Sequence, residues 1–238
     1  VRPLNLRTPI VAGGQPAAII AAPTDVTGAL DEQYAALGER LAAGIEARTG
    51  VRLETTTDAR SLVGGDRTII ALGNLNNNFV VERLYMNKYL EINALRPGAG
   101  RYVLQTVHEP YNWPTGVNVL VVGASDLDGL GAGVDALLER VPEGNEWVLA
   151  EPLLFVSGVE PMSAERAQEL VDSPVSQDVT RDFWSAAVQY RDTGDLAWAR
   201  RARRILLVEA AERFEADPHF HITWPEETTS DMIGAMWD

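Results

Sequence analysis

The segment from Arg101 to Val141 (RYVLQTVHEPYNWPTGVNVLVVGASDLDGLGAGVDALLERV) constrains the fold more than any other, because it reads as strand, loop, strand, tight turn and helix in succession. Val103, Leu104 and Val107 predict one strand. Val117 to Val122 predict a second, apolar enough to be buried on both faces of a sheet. After Gly123, the S-x-x-D spacing of Ser125 and Asp128 supplies a hydroxyl and a carboxylate for the free N–H groups of a helix's first turn, so a helix is expected to begin near Asp126. Gly129, Gly131 and Gly133 fall inside it. With Ala132 and Ala136 they give a small-residue surface on which helix backbone can approach sheet closely.

Glycines after a strand also suggest a dinucleotide fingerprint, in which backbone N–H groups and the helix dipole hold a pyrophosphate. The G-x-G-x-x-G spacing is absent, and Asp126 and Asp128 stand where phosphate would sit. Nucleotide binding is therefore not expected, and no cofactor or metal is predicted.

Upstream, Val1 to Pro16 shows no periodicity and reads as an extended lead-in. AAIIAA at Ala17 to Ala22 reads as a buried strand. Tyr34, Leu37, Leu41 and Ile45 recur at helical spacing from Asp31 to Thr49, with Gly50 placed for a left-handed C-cap. Strands are expected over Val51 to Thr56 and Thr68 to Leu72. GNLNNN, at Gly73 to Asn78, is a polar turn leading into a helix from Phe79 to Tyr89. Its amides suit either a polar ligand at a strand's carboxyl end or a loop and helix cap, and the second reading has the greater weight. Glu91 to Gly100 is a further loop, and Trp147 to Val156 reads as an edge strand or a connector.

Beyond Pro161 the pattern is helical only. A short helix capped by Ser163 covers Arg166 to Val171, and longer ones are expected over Asp178 to Thr193 and Asp195 to Ala216. The turn Thr193-Gly194-Asp195 joins the last two as an antiparallel hairpin. The expected organisation is an α/β domain over 1–158, a two-layer or three-layer α/β sandwich with a mixed sheet, followed by an all-α helical segment over 159–238.

Composition narrows the function classes. A formal net charge of −14 over 238 residues argues against nucleic-acid binding, which needs clustered cations not outnumbered by acids. No run of 18 or more apolar residues predicts a membrane span. Cysteine is absent, which removes disulfides, thiolate catalysis and zinc–sulfur sites and leaves the redox compartment open. The chain opens on Val1 rather than Met, as either a trimmed chain or a processed mature product would, the latter natural for an exported protein, and no N-x-S/T sequon occurs. A bacterial protein in an extracellular or periplasmic location is the expectation.

The phrases IIALGNLNNNFVVERL, GRYVLQTV and NVLVVGASDLDGLGAGVDALLERV resemble the α/β accessory domain that precedes the catalytic domains of secreted glycoside hydrolases of the α-glucuronidase and hexosaminidase type, over roughly the first 158 residues. QYRDTGDLAWARRARRILL resembles the helical pairs of (α/α) toroids in heparinase-like and alginate-lyase-like polysaccharide lyases. The resemblance implies the N-terminal portion of a longer carbohydrate-active protein, cut just inside its helical domain. That portion would itself be non-catalytic, with acidic polysaccharide and further C-terminal domains as partners. The alternative is a structural or interaction protein whose helical hairpin docks onto a partner.

Candidate ligand-binding side chains follow from chemistry. Tyr111 and Trp113, between two prolines, and Trp184 and Trp224 are the aromatics to consider for sugar stacking. Tyr190 lies in the toroid-like phrase. His219 and His221, at i and i+2 with Asp217 and Glu226 nearby in sequence, are conceivable as an acid/base or metal pair, but no third ligand is spaced for a metal. No catalytic residue is assigned. Arg200, Arg201, Arg203 and Arg204 interrupt the acidic background. They suit a polyanion, but pairing with Asp192, Asp195, Glu209 and Glu212 at helical spacing is the stronger reading.

Overall fold

The structure, a computed structural model, describes residues 4–110, 112–209, 212 and 215–216. Its contacts divide the chain after Ser157.

The first unit is an α/β fold with two sheets. β1 (Thr8–Ala12) pairs antiparallel with β2 (Gln15–Pro16) and with β8 (Trp147–Leu149). The larger sheet adds β3 (Ala18–Ala21), β4 (Glu54–Thr56), β5 (Thr68–Gly73), β6 (Tyr102–His108), β7 (Asn118–Ala124) and β9 (Leu154–Val156), in the order β4-β3-β5-β7-β6-β9. The first four strands in that order run parallel, whereas β6 is antiparallel to both its neighbours. The sheet is therefore mixed, as expected. The antiparallel part follows from the short loop between β6 and β7, since a parallel return would need a crossover of a dozen residues or more.

Two expectations change here. The N-terminal lead-in contains β1 and β2, which pair with each other as a hairpin, and β1 also pairs with β8, far along the chain. The Trp147 to Val156 run splits into β8 in the small sheet and β9 at the edge of the large one. The side-chain amide of Asn118, at the start of β7, donates to the carbonyls of Asn5 and Arg7 and to the Thr8 hydroxyl, which fixes the N-terminal segment at the amino end of the parallel strands.

Alternation assigns the faces of the large sheet. Ile20, Ile70, Leu72, Leu120 and Val122 share one core with Leu41 and Ile45 of α1 (Asp31–Thr49) and with Leu130, Val134 and Leu137 of α3 (Leu127–Leu138). α1 ends as expected, with Gly50 at φ 71°. The opposite face meets α2 (Phe79–Met86) and the segment after it: Gly123 packs on Ile92, and Gln105 donates from its amide to the Tyr89 carbonyl at 3.0 Å. Helices therefore cover both faces. α2 stops before Tyr89 because the chain turns at Lys88, where φ is +64°.

The small residues of α3 divide by helical phase. Gly133 packs against Val122 and Tyr102, Gly129 lies on the Arg101 backbone, and Ala136 is buried. Gly131 is half-buried and Ala132 exposed, so these two fall outside the packing surface expected of them. Leu138 fills the space over Gly44 of α1, which brings the two helices close together.

The second unit holds α4 (Ala164–Asp172), α5 (Val179–Thr193) and α6 (Leu196–Arg204), the last continuing as a π turn over Ile205–Glu209. Ser163, Asp178 and Asp195 cap the three helices through their side chains, and Gly194 closes α5 at φ 69°. Its core is small: Val179, Phe183, Ala186, Ala187, Ala202 and Ile205, flanked by half-buried Trp184 and Trp198. Among the described residues, no helix is long and apolar enough to cross a membrane.

Candidate functional site at the carboxyl end of the sheet

The chain leaves β3 through α1 to reach β4 on one side, then returns to place β5 on the other side of β3. The carboxyl ends of β3 and β5 are therefore a topological switch point, the position where open α/β sheets place ligands. The Asn-rich turn lies there.

Its amides are engaged by the protein itself. Asn78 is buried; its Nδ2 donates to the carbonyls of Ala21 (3.0 Å) and Leu72 (2.9 Å), and its Oδ1 accepts from the N–H groups of Val80 (2.9 Å) and Val81 (3.4 Å). One carboxamide thus joins the ends of β3 and β5 to the start of α2. The Asn74 amide donates to the Ala124 carbonyl at the end of β7 and accepts from the Asn76 N–H. Asn77 accepts from the Asn74 N–H through Oδ1 and donates through Nδ2 to the Tyr34 hydroxyl of α1. The Asn77 carbonyl accepts from Thr24 N–H, and Ile92 accepts from Leu75 N–H, so three loops are laced side by side. Gly73, at φ 107°, is required because a Cβ there would meet the Asn77 side chain.

The neighbouring helix start is also filled. Asp126 accepts from Gly129 N–H at 2.8 Å and, through its other oxygen, from Gly100 N–H at 2.9 Å. Ser125 accepts from Gly98 N–H at 3.0 Å. The first-turn cap is therefore Asp126, not the Ser125/Asp128 pair, and Ser125 holds a loop instead. That loop occupies the space at the start of α3 where a pyrophosphate would lie.

Asp25, in the loop after β3, accepts from the Thr27 hydroxyl at 2.6 Å and from the N–H groups of Thr27 and Leu30. These bonds, the Thr27 hydroxyl first, hold its carboxyl below the ordinary aspartate value. Val26, next to it in the same loop, is 94% exposed, and Leu95, in the loop before β6, is 84% exposed.

The sequence-predicted side chains do not assemble at this end. Trp113 is half-buried in its own loop. Tyr190 belongs to the second unit and is only 7% exposed, on the α5 face that carries Phe183 and Ala187. Burial pushes its phenol above the ordinary tyrosine value, which keeps the proton on oxygen. Trp184 is half-buried and packs edge-on against Phe183. Tyr111, His219, His221 and Trp224 lie outside the described residues. Among the described residues, no cluster of His, Asp and Glu is arranged to hold a metal ion.

The arginine cluster has a role that charge counting missed. Arg201 is buried at 6% exposure; its guanidinium donates to the Val171 and Ser173 carbonyls and, at 2.8 Å, to the Pro174 carbonyl. Arg204 donates to the Val171 carbonyl at 2.6 Å. Both lie at the carboxyl end of α4, where cations complement unpaired carbonyls and the helix dipole. The signal was available in the sequence, since Arg201 lies on the inward stripe between Ala197 and Ile205. Asp195 works the other end: one oxygen caps α6 at Ala197 N–H and the other accepts from Met162 N–H.

No family model matches this chain, and no curated protein matches it.

Proposed function

We propose that this chain is a non-catalytic, supporting portion of a secreted carbohydrate-active protein, a polysaccharide lyase or glycoside hydrolase, acting outside the cytoplasm. The observation that carries the non-catalytic half of this reading is the engagement of Asn74, Asn77 and Asn78 by the protein's own backbone and Tyr34 at the switch point. A binding site needs polar groups directed outward, whereas these are turned inward and rigidify the strand ends. The position of Tyr190 inside its own unit agrees with that reading, because a buried, protonated phenol is poorly placed to take a proton from a polysaccharide. The carbohydrate half rests on the resemblance of the phrases quoted above, and uronate-containing polysaccharides are the class of substrate for the whole protein.

The test has two measurements: the intact mass of the native product against 26.0 kDa, and release of unsaturated uronate or reducing ends from uronate polysaccharides by the native product and by this chain. The expected result is a larger native product with activity and no turnover by this chain alone. A native product of matching mass with no activity would overturn the reading in favour of an interaction protein.

A further inference from the structure

α6 packs against α4 on one side and α5 on another, and the residues it turns away from both form a stripe. Leu196 is 58% exposed, Arg200 and Arg203 are exposed, and Leu207 and Val208 in the π turn are 39% and 42% exposed. Arg201 and Arg204 are committed to the end of α4, but Arg200 and Arg203 have no ion-pair partner among the described residues. Two guanidiniums with no ion-pair partner among the described residues, bounded by aliphatic side chains, thus stand on the surface of a chain with formal net charge −14.

The geometry points to this stripe as a docking face for an acidic amphipathic helix of a partner protein. The occupant follows from complementarity. The arginines call for carboxylates, and the leucines at either end call for an apolar stripe along the same ligand, spaced as on a helix. A polyuronate meets the first requirement and not the second. Desolvated leucines would supply affinity, and the guanidinium–carboxylate pairs would set orientation and association rate.

Fluorescence anisotropy with the full chain tests this, using two synthetic helical peptides with the same leucine stripe, one flanked by glutamates and one by lysines. The chain's overall charge favours the lysine peptide, so tighter binding of the glutamate peptide at low salt can arise only from a local basic face. The expected result is a preference of about tenfold for the glutamate peptide. Arg200→Glu with Arg203→Glu reverses that preference, and Leu196→Ser with Leu207→Ser weakens binding about tenfold, with the thermal melt unchanged in both pairs because the side chains are exposed. Equal binding of the two peptides overturns the proposal. So does polyguluronate binding that depends on the arginines and not on the leucines, which makes the face a polyanion site. Self-association abolished by the arginine reversal overturns it in favour of a second copy. Tighter peptide binding by the full chain carrying Glu226→Gln, Glu227→Gln and Asp231→Asn overturns it in favour of the chain's own acidic segment.

Discussion

The two units solve one problem, the unpaired backbone groups at the ends of their elements, with different chemistry. In the sheet unit neutral carboxamides hold the buried strand ends, Asn78, Asn74 and Asn118 each bridging segments far apart in sequence, while a carboxylate, Asp126, serves the start of α3. In the helical unit charged groups do it, with Arg201 and Arg204 on the end of α4 and Asp195 holding the start of α6 and the segment before α4. The difference follows from size. A six-stranded sheet covered on both faces buries its strand ends deeply, and a buried amide with all its bonds made carries no charge to desolvate. The three described helices of the other unit share a small core, and the exposed carboxyl end of α4 leaves several carbonyls together, which one guanidinium with its several donors can satisfy at once.

Five expected outcomes break or sharpen this contrast. Phe183→Ala removes the largest fully buried side chain of the helical core and costs about 3–5 kcal/mol. Hydrogen exchange should show α5 and α6 amides losing protection while those of β5 and β7 keep theirs; loss in both units would mean that they unfold together.

Asn78→Ala leaves two buried carbonyls and two helix N–H groups without their partner, for about 2–4 kcal/mol in urea denaturation. Asn78→Asp should fail to rescue, since it keeps the cap and turns oxygen toward the Ala21 and Leu72 carbonyls. Rescue by aspartate would show that only the cap matters.

Arg201→Leu should cost about 1–3 kcal/mol and act mainly on α4, which has no fully buried residue of its own. Exchange protection over residues 164–172 checks it, and an unaltered α4 would remove the guanidinium from the account.

Within α3, Gly133→Ala is expected to cost about 1–3 kcal/mol by overpacking against Val122 and Tyr102. Gly131→Ala is expected to gain about 0.5–1 kcal/mol, because a Cβ there meets only ordinary contact with Arg40. Thermal melts of the two variants moving in the same direction would contradict the assigned helix phase.

The smallest effect is at Asp25. Its folded value lies below that of the unfolded chain, so its contribution to stability is present above the ordinary aspartate range and is lost as pH falls through the folded value. NMR titration of its carboxyl carbon should give a midpoint below that of a model aspartate, and Thr27→Ala should raise it.

Much of the local structure was legible. The 3.6-residue recurrence of Tyr34, Leu41 and Ile45 and the glycine after Thr49 defined α1 from end to end. Asp178, Gly194 and Asp195 marked the helix ends of the hairpin because capping is a property of neighbouring residues. β1 and β2 were not foreseen, and β8 and β9 only as one run, because strands this short carry little pattern of their own and β1, β8 and β9 are selected by partners far along the chain. The amides of the Asn-rich turn were visible as a cluster, but whether they faced a ligand or the backbone depended on where the ends of β3, β5 and β7 came together.

By itself the sequence determined the helices and the longer strands, where α1 and α5 stop, and that β7 is buried on both faces, since these follow from periodicity, capping and apolar content. Only the tertiary structure decided strand order, the mixed direction of the sheet and the inward use of the asparagines. It also decided the separation of two structural arginines from two exposed ones. Each of these depends on groups brought together from distant parts of the chain, and spacing along the sequence does not encode which carbonyl a side chain will meet.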